Sequence, residues 1–172
     1  MTEKGGGNFQ SLYLGLAETY LKELRAVFGE RLYSACLFGS VARGTATPES
    51  DIDLLVVVAD LPRDVGSRHR MMNKARMRTM GTHAYKELRS KGRSTTISEI
   101  YLTPEEVKGH PPILLDVAFD GIILHDKEDF LGKVLQEIKD RLRVLSARKV
   151  ETKKGWYWVL RPDAKIGEEV RI

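Results

Sequence analysis

Asp51 and Asp53 stand two residues apart at the mouth of Ile52–Ala59, a stretch that is otherwise apolar and rich in valine. In a strand, residues i and i+2 face the same way, with Cα atoms roughly 6.5–7 Å apart. Two carboxylates placed side by side repel each other, and a cation between them relieves the repulsion. Oxygen donors of this kind suit Mg²⁺ or Mn²⁺. A Gly39-Ser40 pair precedes them in the chain. Gly39 lets backbone amides come close to a ligand, and Ser40 adds a hydroxyl donor. If Val41 opens a helix, its free amides and positive dipole end face the same point. The pattern sets a phosphate cradle beside a metal site, and a nucleoside triphosphate bound as its Mg²⁺ complex meets both demands. Two metals about 3.5–4 Å apart would clamp the attacking and leaving oxygens of a phosphoryl displacement.

These residues need elements to hold them. Leu12, Leu16, Tyr20, Leu24 and Phe28 recur every four residues and predict a helix from about Gln10 to Phe28, ended by Gly29. Arg31–Phe38 reads as a short buried strand. Asp51–Ala59 reads as a central one, because its residues are β-branched and almost all apolar. A basic helix is expected from about Asp64 to Arg89, with Met72, Ala75, Met80, Ala84 and Leu88 on its apolar side. Thr95–Leu102 reads as a third strand, and Thr103-Pro104-Glu105-Glu106 is a helix start. A short helix over Pro111–Phe119, a strand over Gly121–His125 and a long amphipathic helix opened by Asp126 and Asp129 follow. The tail from Gly155, with Trp156-Tyr157-Trp158, reads as strand then turn. The fold class is α/β (α+β), a small mixed β-sheet flanked by helices.

At 172 residues and 42% hydrophobic, 30% charged, the chain fits one globular domain and excludes a disordered chain or a disulfide scaffold. Residues 1–9 are expected as a flexible tail and 10–172 as the domain. Met1–Gly7 lacks the apolar core of a signal peptide. The longest apolar run, Leu54–Ala59, is too short to span a membrane. Cys36 is the single cysteine, which excludes an intrachain disulfide and points to a reducing cytoplasm. The net charge of +4 is unevenly placed: Arg63–Arg93 holds ten Lys/Arg against two Asp/Glu. That segment is either a solvated helix face or a docking site for a phosphate-bearing or acidic partner.

Gly39-Ser40-Val41-Ala42-Arg43-Gly44 followed by Ser50-Asp51-Ile52-Asp53-Leu54 closely resembles the signature of the minimal nucleotidyltransferases of the DNA polymerase β superfamily. The resemblance implies a mixed-sheet nucleotidyltransferase fold and a metal-dependent transfer of a nucleoside monophosphate, AMP from ATP, to an acceptor hydroxyl. It also implies that Gly39, Ser40, Arg43 and Gly44 contact the nucleotide and that Asp51 and Asp53 are catalytic and hold Mg²⁺ or Mn²⁺. A third carboxylate is expected on the next strand. Glu99 is the one acid there and is assigned as a catalytic and metal residue, with Asp116 as the runner-up.

Other residues carry less. Arg43 is read two ways, as a phosphate ligand or as a salt bridge that shapes the turn. Met71, Met72, Met77 and Met80 are expected to fill the core. His69, His83, His110 and His125 have no metal-ligand spacing, and Cys36 has no neighbouring histidine to activate it. Trp156, Tyr157 and Trp158 are expected to pack rather than to stack a base. The acceptor, whether protein, RNA or small molecule, is unread. A homodimer or a helical partner protein is possible in principle, as for an inactive, antitoxin-like member of a toxin–antitoxin pair. A nucleic-acid binder using the basic helix ranks last.

Overall fold

A computed structural model describes residues 6–152, 155–165 and 168. The chain runs α1 (Gly6–Phe28), β1 (Leu32–Phe38), α2 (Gly39–Ala42), β2 (Ile52–Val58), α3 (Val65–Met80), α4 (His83–Ser90) and β3 (Ile97–Leu102). It continues through α5 (Pro104–Lys108), α6 (Ile113–Asp120), β4 (Ile122–Asp126), α7 (Phe130–Val144), β5 (Arg148–Thr152) and β6 (Gly155–Val159). Four strands form one sheet in the order β3-β2-β1-β4. β1 is antiparallel to both β2 and β4, while β2 and β3 run parallel. The sheet is therefore mixed, as the sequence pattern implied. β5 and β6 make a separate antiparallel hairpin.

Alternation along β2 divides the core in two. Ile52, Leu54, Val56 and Val58 face α1, α3 and α4, whose Leu16, Tyr20, Leu24, Met72, Ala75 and Leu88 close over them. Leu55 and Val57 face α5, α6 and α7, with Val107, Leu114, Val117, Leu131 and Ile138. Both faces are covered, so the central strands are apolar almost throughout. Cys36 is fully buried on the second face, and burial together with Asp126 pushes its thiol up to about 12. No helix among the described residues is long and apolar enough to cross a membrane.

Several boundaries differ from the sequence pattern for local reasons. α1 starts at Gly6, so residues 6–9 of the expected tail are helical, and residues 1–5 lie outside the described residues. The single helix expected over 64–89 is two, because Thr82 caps a new helix by accepting from the Tyr85 N–H. Met77 and Met80, expected in the core, are 69% and 45% exposed. β5 carries no apolar alternation and gave no strand signal. Of the tail, 166–167 and 169–172 lie outside the described residues.

The basic segment is partly an internal frame. Arg68 is 8% exposed and grips Glu106 with two N–H groups at 2.8 and 2.7 Å, and also the Tyr101 and Pro62 carbonyls. Glu106 is itself half of the Thr103 capping box, so one carboxylate ties α3 to α5. Arg76 grips Glu99 with two nitrogens, and Tyr20 donates to the same carboxylate at 2.6 Å. The Glu99 side chain is completely buried while that of Arg76 is 31% exposed. Arg76→Ala leaves a buried carboxylate without its cation and is expected to cost about 3 kcal/mol in urea unfolding. Arg76→Met combined with Glu99→Leu is expected to recover most of that loss.

Candidate active site

β1 ends at Phe38, whose ladder partner on β2 is Asp53. The chain then turns through Gly39 at φ +72°, in the left-handed region where a side chain is strained. A Cβ built on Gly39 would lie 2.1 Å from Asp53 Oδ2. Glycine is thus required twice, by the backbone angle and by the carboxylate packed on its α-carbon. The single turn of α2 follows. Its loop closes through Thr45 N–H to the Ser40 carbonyl at 2.9 Å and Thr47 N–H to Ser50 Oγ at 2.9 Å.

α1 fixes this loop from below. Gln10 Nε2 donates to the Val41 carbonyl at 3.2 Å and the Tyr13 hydroxyl donates to the Thr47 carbonyl at 3.0 Å. The approach to β3 secures the other side. Ser94 Oγ donates to Asp51 Oδ1 at 3.0 Å, and Ile52 N–H donates to the Thr96 carbonyl at 2.9 Å. Asp51 is exposed and lies one residue before the strand, whereas Asp53 is half-buried within it. Burial first, and the nearby Asp51 second, hold the Asp53 carboxyl above the usual carboxylate range, while Arg43 opposes them.

Phe38, Gly39, Ser40, Arg43, Asp53, Asp116 and Trp156 line one open cleft of about 310 Å³. The glycine turn, one acid of the pair and the runner-up acid therefore share a cavity. Gly44 does not line it; at φ +73° it makes the exposed turn that follows. Arg43 lines the cleft and pairs with Asp120 at 3.2 Å, the salt bridge that one of its two readings expects.

Glu99 is a correction. Its register partner on β2 is Leu54, whereas Asp53 pairs with Ser98. Register partners share a face, so Glu99 lies on the α1 side of the sheet and Asp53 on the other. Its carboxylate is occupied by Arg76 and Tyr20 inside the core. Its place on the expected strand was right and its parity was wrong. On the Asp53 face β3 presents Ser98, Ile100 and Leu102, none of them acidic. Asp116 reaches the cleft from α6 instead, and its Oδ1 accepts the Trp156 Nε1–H at 2.9 Å.

Among the described residues no three His, Cys, Asp or Glu side chains converge as a metal cage. Two carboxylates are nevertheless what a Mg²⁺ ion takes from protein when substrate phosphates and water complete its shell. The donor chemistry of the Asp51–Asp53 pair fits one such ion. Asp120 and Lys149, absent from the sequence reading, meet beside the cleft at 3.4 Å. The spacing of Asp116 and Asp120, one helical turn apart on α6, was the available signal.

Residues 18–154 match the family model of the nucleotidyltransferase domain. Over 143 residues the chain is 27% identical to MJ1305 of Methanocaldococcus jannaschii, named as a candidate protein adenylyltransferase, covering 82% of this chain and 90% of that protein. A solved candidate nucleotidyltransferase of Sulfolobus solfataricus is similar at 23% identity and a TM-score of 0.48, covering 74% of this chain and 92% of that one. A Shewanella oneidensis complex, a tri-AMPylated HEPN toxin with an MNT antitoxin, gives 16% identity and a TM-score of 0.42, with coverages of 78% and 92%.

The raised Asp53 carboxyl sets a pH signature. A group whose folded pKa lies above its unfolded value, about 3.9 for aspartate, favours the fold below that value and loses this contribution as pH rises through the folded pKa. Asp53→Asn without ligand is therefore expected to gain stability relative to the wild type as pH rises from about 4, read as a growing difference in thermal midpoint. Gly39→Ala is expected to lower the midpoint at every pH, since its methyl group displaces the Asp53 carboxylate.

Proposed function

The chain belongs to the nucleotidyltransferase domain family, and on that premise we propose that it transfers AMP from ATP to an acceptor hydroxyl. The reading is carried by one observation above the rest: the Gly39 turn lies against the Asp53 carboxylate in an open cleft. The acceptor oxygen attacks the α-phosphorus, the bond from that phosphorus to the bridging oxygen breaks, and pyrophosphate leaves with the electron pair. Ser40 and Arg43 bind phosphate oxygens. Asp51 and Asp53 would hold Mg²⁺, which would neutralise charge on the triphosphate. Asp116 takes the role first given to Glu99 and receives the proton of the acceptor hydroxyl. Most of the rate comes from positioning and charge stabilisation.

Adenine as the base is supported by the similarity to the M. jannaschii protein, whose name makes a protein hydroxyl the first acceptor class to test. The toxin–antitoxin structures share too little geometry with this chain to bring a helical partner to it.

Thermal unfolding with each nucleoside triphosphate, with and without Mg²⁺, tests the donor. ATP at 100 times its Kd stabilises by about 2.7 kcal/mol, which moves the midpoint by several degrees for a domain of this size. The expected result is a Mg²⁺-dependent shift with ATP that is absent in Asp53→Asn, together with loss of label transfer from α-labelled ATP to protein in that variant. Equal shifts in wild type and variant would remove Asp53 from the site.

A further inference from the structure

β6 starts at Gly155, immediately past the residues that match the family, and brings Trp156 into the cleft. The indole is fixed at its edge, where Nε1–H donates to Asp116 Oδ1 at 2.9 Å. Its ring carries two cations. The Arg43 guanidinium carbon lies 5.0 Å from the ring centroid and Lys149 Nζ lies 4.5 Å from it. The same two cations share Asp120 Oδ2, at 3.2 and 3.4 Å. A hairpin whose second strand lies past the matched region, and a helix that none of the motif residues occupies, thus converge on Arg43.

Arg43 directly follows the Gly39–Ala42 turn. An arginine on a free loop gives up rotamer entropy when it grips an anion, whereas one already stacked and paired has given up most of it before the ligand arrives. Asp120 takes a hydrogen bond from one terminal nitrogen, Nη1. A guanidinium has five N–H donors in a rigid fork, so the pairing with Asp120 leaves donors to serve a phosphate oxygen without breaking it. The two cations at its ring also argue against an indole kept bare for a base.

We propose that Trp156 is a positioning residue of the nucleotide site, acting through Arg43 to hold the guanidinium ready for the triphosphate. The inference rests on the nucleotide reading above. Asp116 locks the indole in plane, the indole and Asp120 lock the arginine, and the arginine meets phosphate.

The test is the calorimetric Kd of ATP with Mg²⁺ for the wild type, Trp156→Ala, Trp156→Phe, Arg43→Ala and the Arg43→Ala/Trp156→Ala double variant, with tripolyphosphate as a second probe. Trp156→Ala is expected to weaken ATP on the order of tenfold, the scale of a partly desolvated cation–π contact. Trp156→Phe retains a ring for the guanidinium and is expected to stay within about threefold; it keeps the test open if the alanine variant fails to fold. In the Arg43→Ala background the tryptophan substitution is expected to add nothing, which a merely structural role would not produce. Tripolyphosphate is expected to weaken in parallel with ATP. Wild-type affinity in Trp156→Ala, an undiminished effect without Arg43, or a loss confined to ATP, which would put the indole on the base, would each overturn the proposal. Failure of the wild type to bind ATP would be a separate result, overturning the nucleotide reading itself.

Discussion

The contact on which the rest of the site depends is the approach of one carboxylate to one α-carbon. Asp53 Oδ2 occupies the space where any residue but glycine would place its Cβ at position 39. That closeness is a product of the antiparallel ladder, which pairs Phe38 with Asp53 at the end of β1 and β2. The turn must leave β1 at a left-handed angle, and the strand opposite must carry an acid where its neighbours are apolar. The burial that raises the Asp53 pKa accompanies its packing against the Gly39 turn. The fold tolerates an unfavourable carboxylate because the sheet on both sides is closely packed with Leu, Val and Ile.

The sheet separates two kinds of charge chemistry by a single residue of register. On one face Asp53 opens to a cleft; on the other, Glu99 is sealed by Arg76 and Tyr20. Burial and Glu99 together drive the Tyr20 hydroxyl far above its ordinary pKa, so it remains a donor. The basic helix, which reads in sequence as either a solvated face or a docking surface, uses Arg68 and Arg76 as struts that join α3 to β3 and α5. The two arginines work as frame because they are partnered by carboxylates inside the domain.

What the sequence made legible follows from this. The glycine turn, the Asp-x-Asp pair and β2 were readable because their constraints are local: a backbone angle, an alternation and an apolar run. The Thr103 cap was readable for the same reason. Glu99 was misplaced because parity on β3 depends on register with β2, and Thr95–Leu102 has no strong apolar alternation to reveal it. The break at Thr82 and the strand β5 are local but carry no apolar alternation to mark them, whereas the meeting of Asp120 with Lys149 depends on segments that spacing alone does not bring together. Trp156 was visible as an aromatic but not as a neighbour of Arg43, since 113 residues of chain separate them.

The first helix touches the motif loop at Gln10, on the Val41 carbonyl, and at Tyr13, on the Thr47 carbonyl, and its Phe9 ring lies 3.8 Å from the Arg93 guanidinium carbon in the segment before β3. The same helix supplies Leu16, Tyr20 and Leu24 to the core. The loop between the glycine turn and the aspartates therefore has no hinge of its own. Opening of the loop requires release of the Gln10 and Tyr13 tethers, and the helix that carries them covers one face of the sheet. Motion of the loop beside the cleft is thereby coupled to the packing of the first helix, and the turn is held by the same helix that closes one face of the core.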